Sequence, residues 1–333
     1  MGFLLIGNFL GAQSLPLAQL VKETKGILWW DPYRNVGLLR MGDSTAALHP
    51  GSNLALIQGD QILDLLSFSL KDNVPSMDKK DWELLLDAMG RTPDQKKSLG
   101  DNYRVGAIII DPGHGGRDPG AKATHTIDGV PRTLLEKDIT LQVSLELNKL
   151  VQEAWPEKKI VLTRNDDTYP TLEQRVEIAH GVALKPQETV LFLSIHVNAS
   201  LNTQAQGIEV WFIPKDYERE VLRNTQAHEK ALPILNDFQN YEYKVESKNL
   251  SRYILQSLEV EVGKDFSDRG LKESPWFVVR MAKMPAVLVE IGFLTNSEEA
   301  TRLADSEYLK KLARGIYNGL SKFIADYDAL GSY

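Results

Sequence analysis

Val-Gly-Ala-Ile-Ile-Ile-Asp-Pro-Gly-His-Gly-Gly, residues 105–116, joins an apolar run to a turn rich in glycine. The β-branched run is typical of a buried central strand, and Pro112 ends it. Glycines on both sides of His114 let the backbone turn sharply, which leaves the imidazole at the carboxyl end of the strand. Functional groups gather at that end in sheets of parallel strands. This stretch therefore predicts an α/β domain whose site includes His114.

Apolar strand-like runs continue to alternate with helical patterns beyond this stretch. The predicted strands are 105–111, 159–163, 189–195, 207–213, 277–280 and 286–290. The predicted helices are 135–154, 172–184, 246–262 and 308–327. This alternation predicts a largely parallel twisted sheet with helices on both faces.

The preceding part of the chain has a different composition. Residues 1–20 begin with an apolar run of about the length of a signal-peptide core, so we expect export to the periplasm or cell envelope. Residues 21–90 carry short alternating runs broken by turn residues and predict a small β-rich domain, and residues 91–104 are polar and predict a linker. The α/β domain is then expected to comprise residues 105–333.

Overall composition excludes several classes of protein. The 333 residues carry a net charge of −7, and no cluster of Lys and Arg is available to neutralise nucleic-acid phosphates. No segment reaches the roughly 18 uninterrupted apolar residues that a stable membrane span needs. Cysteine is absent, so a bound metal would be held by His, Asp or Glu.

Five residues stand where such a metal site would form. His196 follows a second apolar strand as His114 follows the first, so the two imidazoles could share one metal. A third ligand could be Glu136, which opens a helix, or Asp111, which ends the first strand. Glu290 ends a very apolar strand, where a charged group rarely lies without a partner. A carboxylate beside a metal-bound water can act as general base and then general acid in amide hydrolysis.

Taken together, these motifs resemble the zinc-dependent N-acetylmuramoyl-L-alanine amidases, over about residues 105–327. The resemblance rests on Ile-Ile-Asp-Pro-Gly-His-Gly-Gly (109–116), Asp118–Gly120, Glu-Lys-Asp (136–138), Leu-Thr-Arg (162–164), Ser-Ile-His-Val-Asn-Ala (194–199) and Pro-Ala-Val-Leu-Val-Glu-Ile-Gly-Phe (285–293).

The resemblance implies one zinc ion held by His114, Glu136 and His196, with Glu290 as the catalytic carboxylate. It also implies cleavage of the peptidoglycan amide between the lactyl group of N-acetylmuramic acid and L-alanine. Two other readings stay open: a zinc peptidase acting on the stem peptide, and a catalytically silent wall-binding module.

Further residues are assigned supporting or structural roles. Support of the substrate or of the site is assigned to Arg164, Arg175 and Asn198. Solvated or structural roles are expected for His49, His125, His180 and His228.

A helical insert is expected at about residues 215–245. Asp216 is the expected N-cap of a helix through Ala231, and Pro233 is expected to end or kink it before a second short helix. We weigh a surface elaboration against a lid that an activator protein displaces. In the lid, a carboxylate would occupy the open metal position, and the candidates are Glu218, Glu220, Glu229 and Glu242.

Overall fold

The computed structural model describes residues 14–24, 26–31, 36–42, 44–49, 54–57, 61–72, 74–90, 104–185, 188–221 and 232–330. The chain divides into two compact units. Met1–Asp101 and Leu222–Gln239 form the first, and Asn102–Val221 and Asn240–Tyr333 form the second. The export signal expected at residues 1–20 falls largely on residues 1–13, which lie outside the described residues, as does most of the expected linker.

The first unit is rich in strands. Its elements are β1 (Leu15–Pro16), α1 (Leu17–Glu23), β2 (Ile27–Asp31), β3 (Val36–Met41), β4 (Ser44–His49), β5 (Leu54–Ile57), β6 (Gln61–Asp64), β7 (Ser69–Lys71), β8 (Val74–Met77) and α2 (Lys79–Gly90). An antiparallel sheet has the order β2-β3-β4-β5-β6, and a smaller one has the order β1-β8-β7. Apolar side chains of α1 and α2 pack with those of the strands in one core.

The second unit is the predicted α/β domain. Its elements are β9 (Arg104–Pro112), β10 (Lys122–Ile127), β11 (Val130–Leu135), α3 (Glu136–Ala154), β12 (Lys159–Leu162), α4 (Leu172–His180), β13 (Glu188–Asn198), β14 (Ile208–Phe212), α5 (Leu232–Val262, from Asn240 onward in this unit), β15 (Asp268–Glu273), α6 (Phe277–Met281), β16 (Ala286–Phe293), α7 (Ser297–Leu303) and α8 (Ser306–Leu330).

A six-stranded sheet with the order β12-β9-β13-β16-β14-β15 organises this unit. The pairing of β14 with β16 is antiparallel, and the other pairings are parallel. One face packs against α3, α5 and α8, and the opposite face packs against α4 and α6. The predicted fold, a largely parallel sheet covered on both faces, is therefore confirmed.

Side-chain alternation along the strands decides which groups reach the site. Ala107 and Ile109 of β9 and Phe192 of β13 pack on the face that α4 and α6 cover. Because alternate residues of a strand share a face, His196 of β13 and Glu290 of β16 project on that same face. Both lie at the carboxyl ends of their parallel strands, and they are register partners.

The structure corrects two local predictions. Residues 277–280 form helix α6 and not a strand, and their apolar side chains pack against the sheet. Asp216 lies in a turn, and the described residues that follow it to Val221 are not helical. Pro233 is the second residue of the long helix α5, where its missing N–H group has no intrahelical partner to lose. The predicted helical insert at 215–245 is thus helical only from Leu232 onward within the described residues. The short helix expected after Pro233 and the helix predicted at 246–262 are one continuous helix, α5.

No helix in the described part of the chain is both long enough and apolar enough to cross a membrane.

Candidate active site

Two strand ends bring the two predicted histidine ligands together. The backbone N–H of Gly113 donates a hydrogen bond to the carbonyl oxygen of Ile195 at 2.9 Å, which ties the turn after β9 to β13. A Cβ atom on Gly113 would lie 2.5 Å from the His196 ring, so only glycine allows this approach. The His114 and His196 ring centroids are 5.0 Å apart.

The third group of this cluster is Glu136, the first residue of α3. Potential ligand atoms of His114, Glu136 and His196 all lie within 4.8 Å of one another. The Glu136 carboxylate lies 3.2 Å from His114 Nε2 and 3.1 Å from His196 Nδ1. Two imidazole nitrogens and one carboxylate are a donor set that suits zinc and leaves a fourth coordination position open. The residues present therefore fit the metal that the sequence predicts.

The β10–β11 hairpin, which the sequence did not predict, places Glu136. Its strands pair from Lys122 opposite Leu135 to Ile127 opposite Val130, and α3 begins directly after the hairpin. Backbone N–H groups of Ala121 and Val197 donate to the Glu136 carboxylate at 2.7 and 2.9 Å. These contacts hold the buried side chain between the two histidines.

Charge and hydrogen bonding shift the pKa values of Glu136 and His114 in opposite directions. Burial raises the pKa of Glu136, but hydrogen bonds and charge interactions with His114 and His196 outweigh it and lower the pKa overall. Burial lowers the pKa of His114, but Glu136 and Asp118 outweigh that effect and raise it. Asp118 lies 2.9 Å from His114 Nδ1. A carboxylate only accepts hydrogen bonds, so the Nδ1 proton faces Asp118 and Nε2 faces the cluster.

Glu290 contrasts with Glu136. Within the described part of the chain, its Oε2 atom is out of contact with solvent and has no hydrogen-bond partner. Burial raises the pKa of Glu290 well above its usual range, and the charges of Glu136 and Glu209 raise it further. A carboxyl group with a raised pKa can hold and release a proton near neutral pH, as a general acid and base must.

Two buried arginines brace the turn that carries His114. Arg175 donates to the Asp111 carboxylate and the Pro112 carbonyl, both at 2.6 Å, and to the His114 carbonyl at 2.6 Å. Arg164 donates to the carbonyls of Pro112 at 3.1 Å and Gly113 at 2.9 Å. These contacts are with the protein itself. Of the two roles considered for Arg164 and Arg175, support of the substrate and support of the site, they favour support of the site.

Asp111, the alternative third ligand, lies outside the three-residue cluster. It is buried and accepts hydrogen bonds from Thr163 at 2.5 Å and Ser194 at 2.6 Å in addition to the Arg175 ion pair. Burial raises its pKa, but Arg175 and the two hydroxyl groups outweigh burial and lower it overall. An ionised Asp111 therefore anchors the turn and β13 to each other.

Sequence reasoning did not identify Glu209 of β14. It is buried, and its carboxylate accepts hydrogen bonds from Asn198 Nδ2 at 2.8 Å, Trp211 Nε1 at 3.1 Å and Arg269 Nε at 2.7 Å. Glu209 is also the register partner of Glu290. A charged residue within an apolar strand is the signal that pointed to Glu290, and it could have indicated Glu209 as well.

The remaining histidines are not in the cluster. His125 Nε2 lies 2.9 Å from the carbonyl oxygen of Leu294, and His180 Nε2 accepts a hydrogen bond from the Lys283 backbone at 3.2 Å. His49 lies in β4 of the first unit. His228 lies outside the described residues.

Comparison with known proteins gives a consistent result. Residues 108–322 match the family model described as N-acetylmuramoyl-L-alanine amidase. The uncharacterized protein YqiI of Bacillus subtilis is 35% identical over 216 residues, which cover 65% of this chain and 84% of YqiI. The sporulation-specific N-acetylmuramoyl-L-alanine amidase of the same organism is 32% identical over 215 residues, which cover 65% of this chain and 67% of that protein.

Among solved structures, the CwlD amidase from Clostridioides difficile, determined in complex with the GerS lipoprotein, is similar in fold. It is 29% identical, with a TM-score of 0.50, and the match covers 66% of this chain and 98% of CwlD.

Proposed function

The chain belongs to the N-acetylmuramoyl-L-alanine amidase family and is a peptidoglycan amidase, and we propose that it works with one zinc ion bound by His114, Glu136 and His196. The bond cleaved joins the lactyl group of N-acetylmuramic acid to L-alanine. The observation that carries the proposal is the cluster of three ligands beside Glu290, the register partner of His196.

The residues around the scissile amide have separable roles. When bound, zinc supplies polarisation of the scissile carbonyl and lowers the pKa of a water molecule. Glu290 takes a proton from the attacking water and passes it to the leaving amine of L-alanine. Asp118 holds the His114 tautomer, while Arg164 and Arg175 hold the turn on which His114 lies. Asn198 supports the site through Glu209.

Product analysis separates this proposal from a peptidase. Purified peptidoglycan is digested and the products are identified by mass spectrometry. An amidase releases intact stem peptides with a free L-alanine amine and leaves a free lactyl carboxylate on the sugar. Shortened stems still joined to the sugar would instead identify a zinc peptidase. The absence of both products would favour a silent wall-binding module, although all four expected site positions are filled in this chain.

We further propose that the protein acts outside the cytoplasm, in the periplasm or cell envelope, since its substrate is the cell wall. The family assignment supports this proposal. Fractionation of cells that produce the full chain tests it, and recovery in the cytoplasm alone would contradict it.

Control by an activator acting on residues 215–245 is a second proposal. Support comes from the related CwlD amidase, which forms a complex with a lipoprotein. Within this unit, Arg219 donates to Asn240 Oδ1 and to the Val279 carbonyl, both at 3.0 Å, and so fixes the first part of this segment. Glu218 and Glu220 are exposed.

The test replaces residues 222–239 with a short Gly/Ser linker, so that Arg219 and Asn240 are retained. An inhibitory segment predicts faster cleavage of peptidoglycan by the replaced protein, at equal zinc content. Single Glu→Gln changes at residues 218, 220, 229 and 242 then identify the blocking carboxylate. Unchanged rates in all five variants would leave the segment as a surface elaboration.

A further inference from the structure

Two tryptophans form an aromatic pair beside the catalytic carboxylate. Trp211 lies two residues after Glu209 on the same face of β14 and donates its indole N–H to that carboxylate. Trp276, which directly precedes α6, meets Trp211 edge to face, with ring centroids 5.7 Å apart and an interplanar angle of 85°. Trp276 is 46% exposed, which is unusual for a side chain with so much apolar surface.

Short contacts connect this pair to Glu290. Glu209 and Glu290 are antiparallel register partners, whose Cβ atoms lie about 5 Å apart in such pairs. The hydrogen bond from Trp211 to Glu209 measures 3.1 Å, and the Trp276 ring packs on the Trp211 ring. Trp276 is therefore linked to the strand position of Glu290 through two side chains, Trp211 and Glu209.

The pair is held in place before any ligand arrives. The Glu209 carboxylate accepts hydrogen bonds from Arg269 Nε at 2.7 Å and from Asn198 Nδ2 at 2.8 Å. The group that accepts the Trp211 indole N–H is therefore itself held in place from two sides. Rigid aromatic side chains lose little conformational entropy when they bind a partner. Trp276 thus presents an ordered aromatic surface at low entropic cost.

Chemistry distinguishes the two sides of the scissile bond. One side is a neutral sugar ring, and the other is a peptide that carries carboxylates. An indole offers an apolar face to the C–H groups of a sugar and no positive charge to a carboxylate. Glu273, an exposed residue close before Trp276, also disfavours an acidic peptide there. Arg269, an exposed cation on this flank, is paired with the Glu209 carboxylate at 2.7 Å. Arg117, an exposed cation on the His114 turn, lies 5.1 Å from the centroid of the Tyr169 ring.

We propose that Trp276 is a substrate-binding residue whose indole stacks on the sugar ring that carries the scissile amide. This inference rests on the proposed function of the same site. It assigns the sugar side of the substrate to the β14–α6 flank, and it makes Trp276 a determinant of preference for glycan-linked peptides over free peptides.

Two substrates with the same amide test this assignment. One is a disaccharide muropeptide, and the other is a lactoyl-peptide that lacks the sugar. For the muropeptide, Trp276→Ala raises KM about tenfold with little change in kcat, as loss of an aromatic contact predicts. KM for the lactoyl-peptide stays unchanged, and Trp276→Phe restores most of the loss. Met281→Ala is the matched control, because Met281 is 42% exposed at the other end of α6.

An equilibrium measurement separates this inference from the proposed function. Calorimetry measures muropeptide binding to the full-length Glu290→Gln protein with and without Trp276→Ala, and we expect about tenfold weaker binding without the indole. Equal affinities, or an equal rise in KM for both substrates, would overturn the sugar assignment. If the wild type cleaves neither substrate, the proposed function fails, and the binding comparison still decides the role of Trp276.

Discussion

Replacing Glu290 with Gln tests the division between metal binding and proton transfer. Gln has nearly the same shape, but it cannot take and return a proton. A positioned general acid and base contributes a factor of about 10²–10⁴ to the rate. We therefore expect kcat to fall by that factor, which corresponds to about 2.7–5.4 kcal/mol of transition-state free energy. Zinc content stays at one ion per chain, because Glu290 lies outside the three-ligand cluster.

The structure also predicts the effect of this change on stability. In the metal-free protein the Glu290 carboxyl is buried near the charges of Glu136 and Glu209, and its Oε2 atom has no hydrogen-bond partner among the described residues. A raised folded-state pKa gives stability that is present below the unfolded pKa, about 4.3, and is lost as pH rises through the folded value. Removing the ionisable group therefore leaves the metal-free variant at least as stable as the wild type at neutral pH.

The assay combines release of stem peptides from purified peptidoglycan with zinc analysis and thermal unfolding. Glu259→Gln, on the exposed surface of α5, is the matched control and should behave as the wild type does. Loss of zinc from the Glu290 variant would make Glu290 a ligand. Retention of full activity would refute its role in proton transfer.

Three other predictions concern the metal and the brace around it. Chelation abolishes hydrolysis and zinc restores it, and His114→Ala and His196→Ala lose the metal in elemental analysis, whereas His180→Ala retains it. Arg175→Ala lowers the free energy of unfolding by about 3–5 kcal/mol, measured by denaturant titration, because it leaves the buried Asp111 carboxylate without its ion-pair partner. Asp111 has a lowered folded-state pKa, so its contribution is present above its unfolded pKa of about 3.9 and is lost as pH falls through the folded value. Thermal unfolding below pH 4 should therefore show a smaller acid-induced loss in Asp111→Asn than in the wild type, and equal losses would contradict this reasoning.

The sequence predicted the central strands well because they are buried on both faces. A strand in that environment is a continuous apolar run, as residues 105–111 and 286–290 are. Periodicity alone does not separate such a strand from a short buried helix, and residues 277–280 show this limit. The β10–β11 hairpin was missed for the opposite reason. Its residues are largely exposed and mix polar with apolar types, so they form no continuous apolar run.

The three cluster residues were predictable because each ends or begins a regular element. His114 and His196 follow apolar strands and Glu136 opens a helix, so their sequence positions already indicate the same edge of the sheet. The contacts of Arg164 and Arg175 could not be predicted in this way. Their partners include backbone carbonyls of the His114 turn. Because every residue has a backbone carbonyl group, the sequence does not show which carbonyls accept these hydrogen bonds.

Glu136 and Glu290 lie in one site, and different surroundings shift their pKa values in opposite directions. Glu136 receives two backbone N–H groups and faces two imidazoles, so its ionised form is stabilised. Glu290 has a buried oxygen atom without a partner in the described part of the chain, so its neutral form is stabilised. Strand register maintains this difference, because His196 and Glu209 flank Glu290 on the neighbouring strands. A shift of β16 by one residue would turn Glu290 to the opposite face of the sheet. That face packs in an apolar core, where burying a carboxyl group is costly, so the packing that stabilises the fold also keeps Glu290 beside the His114–Glu136–His196 cluster.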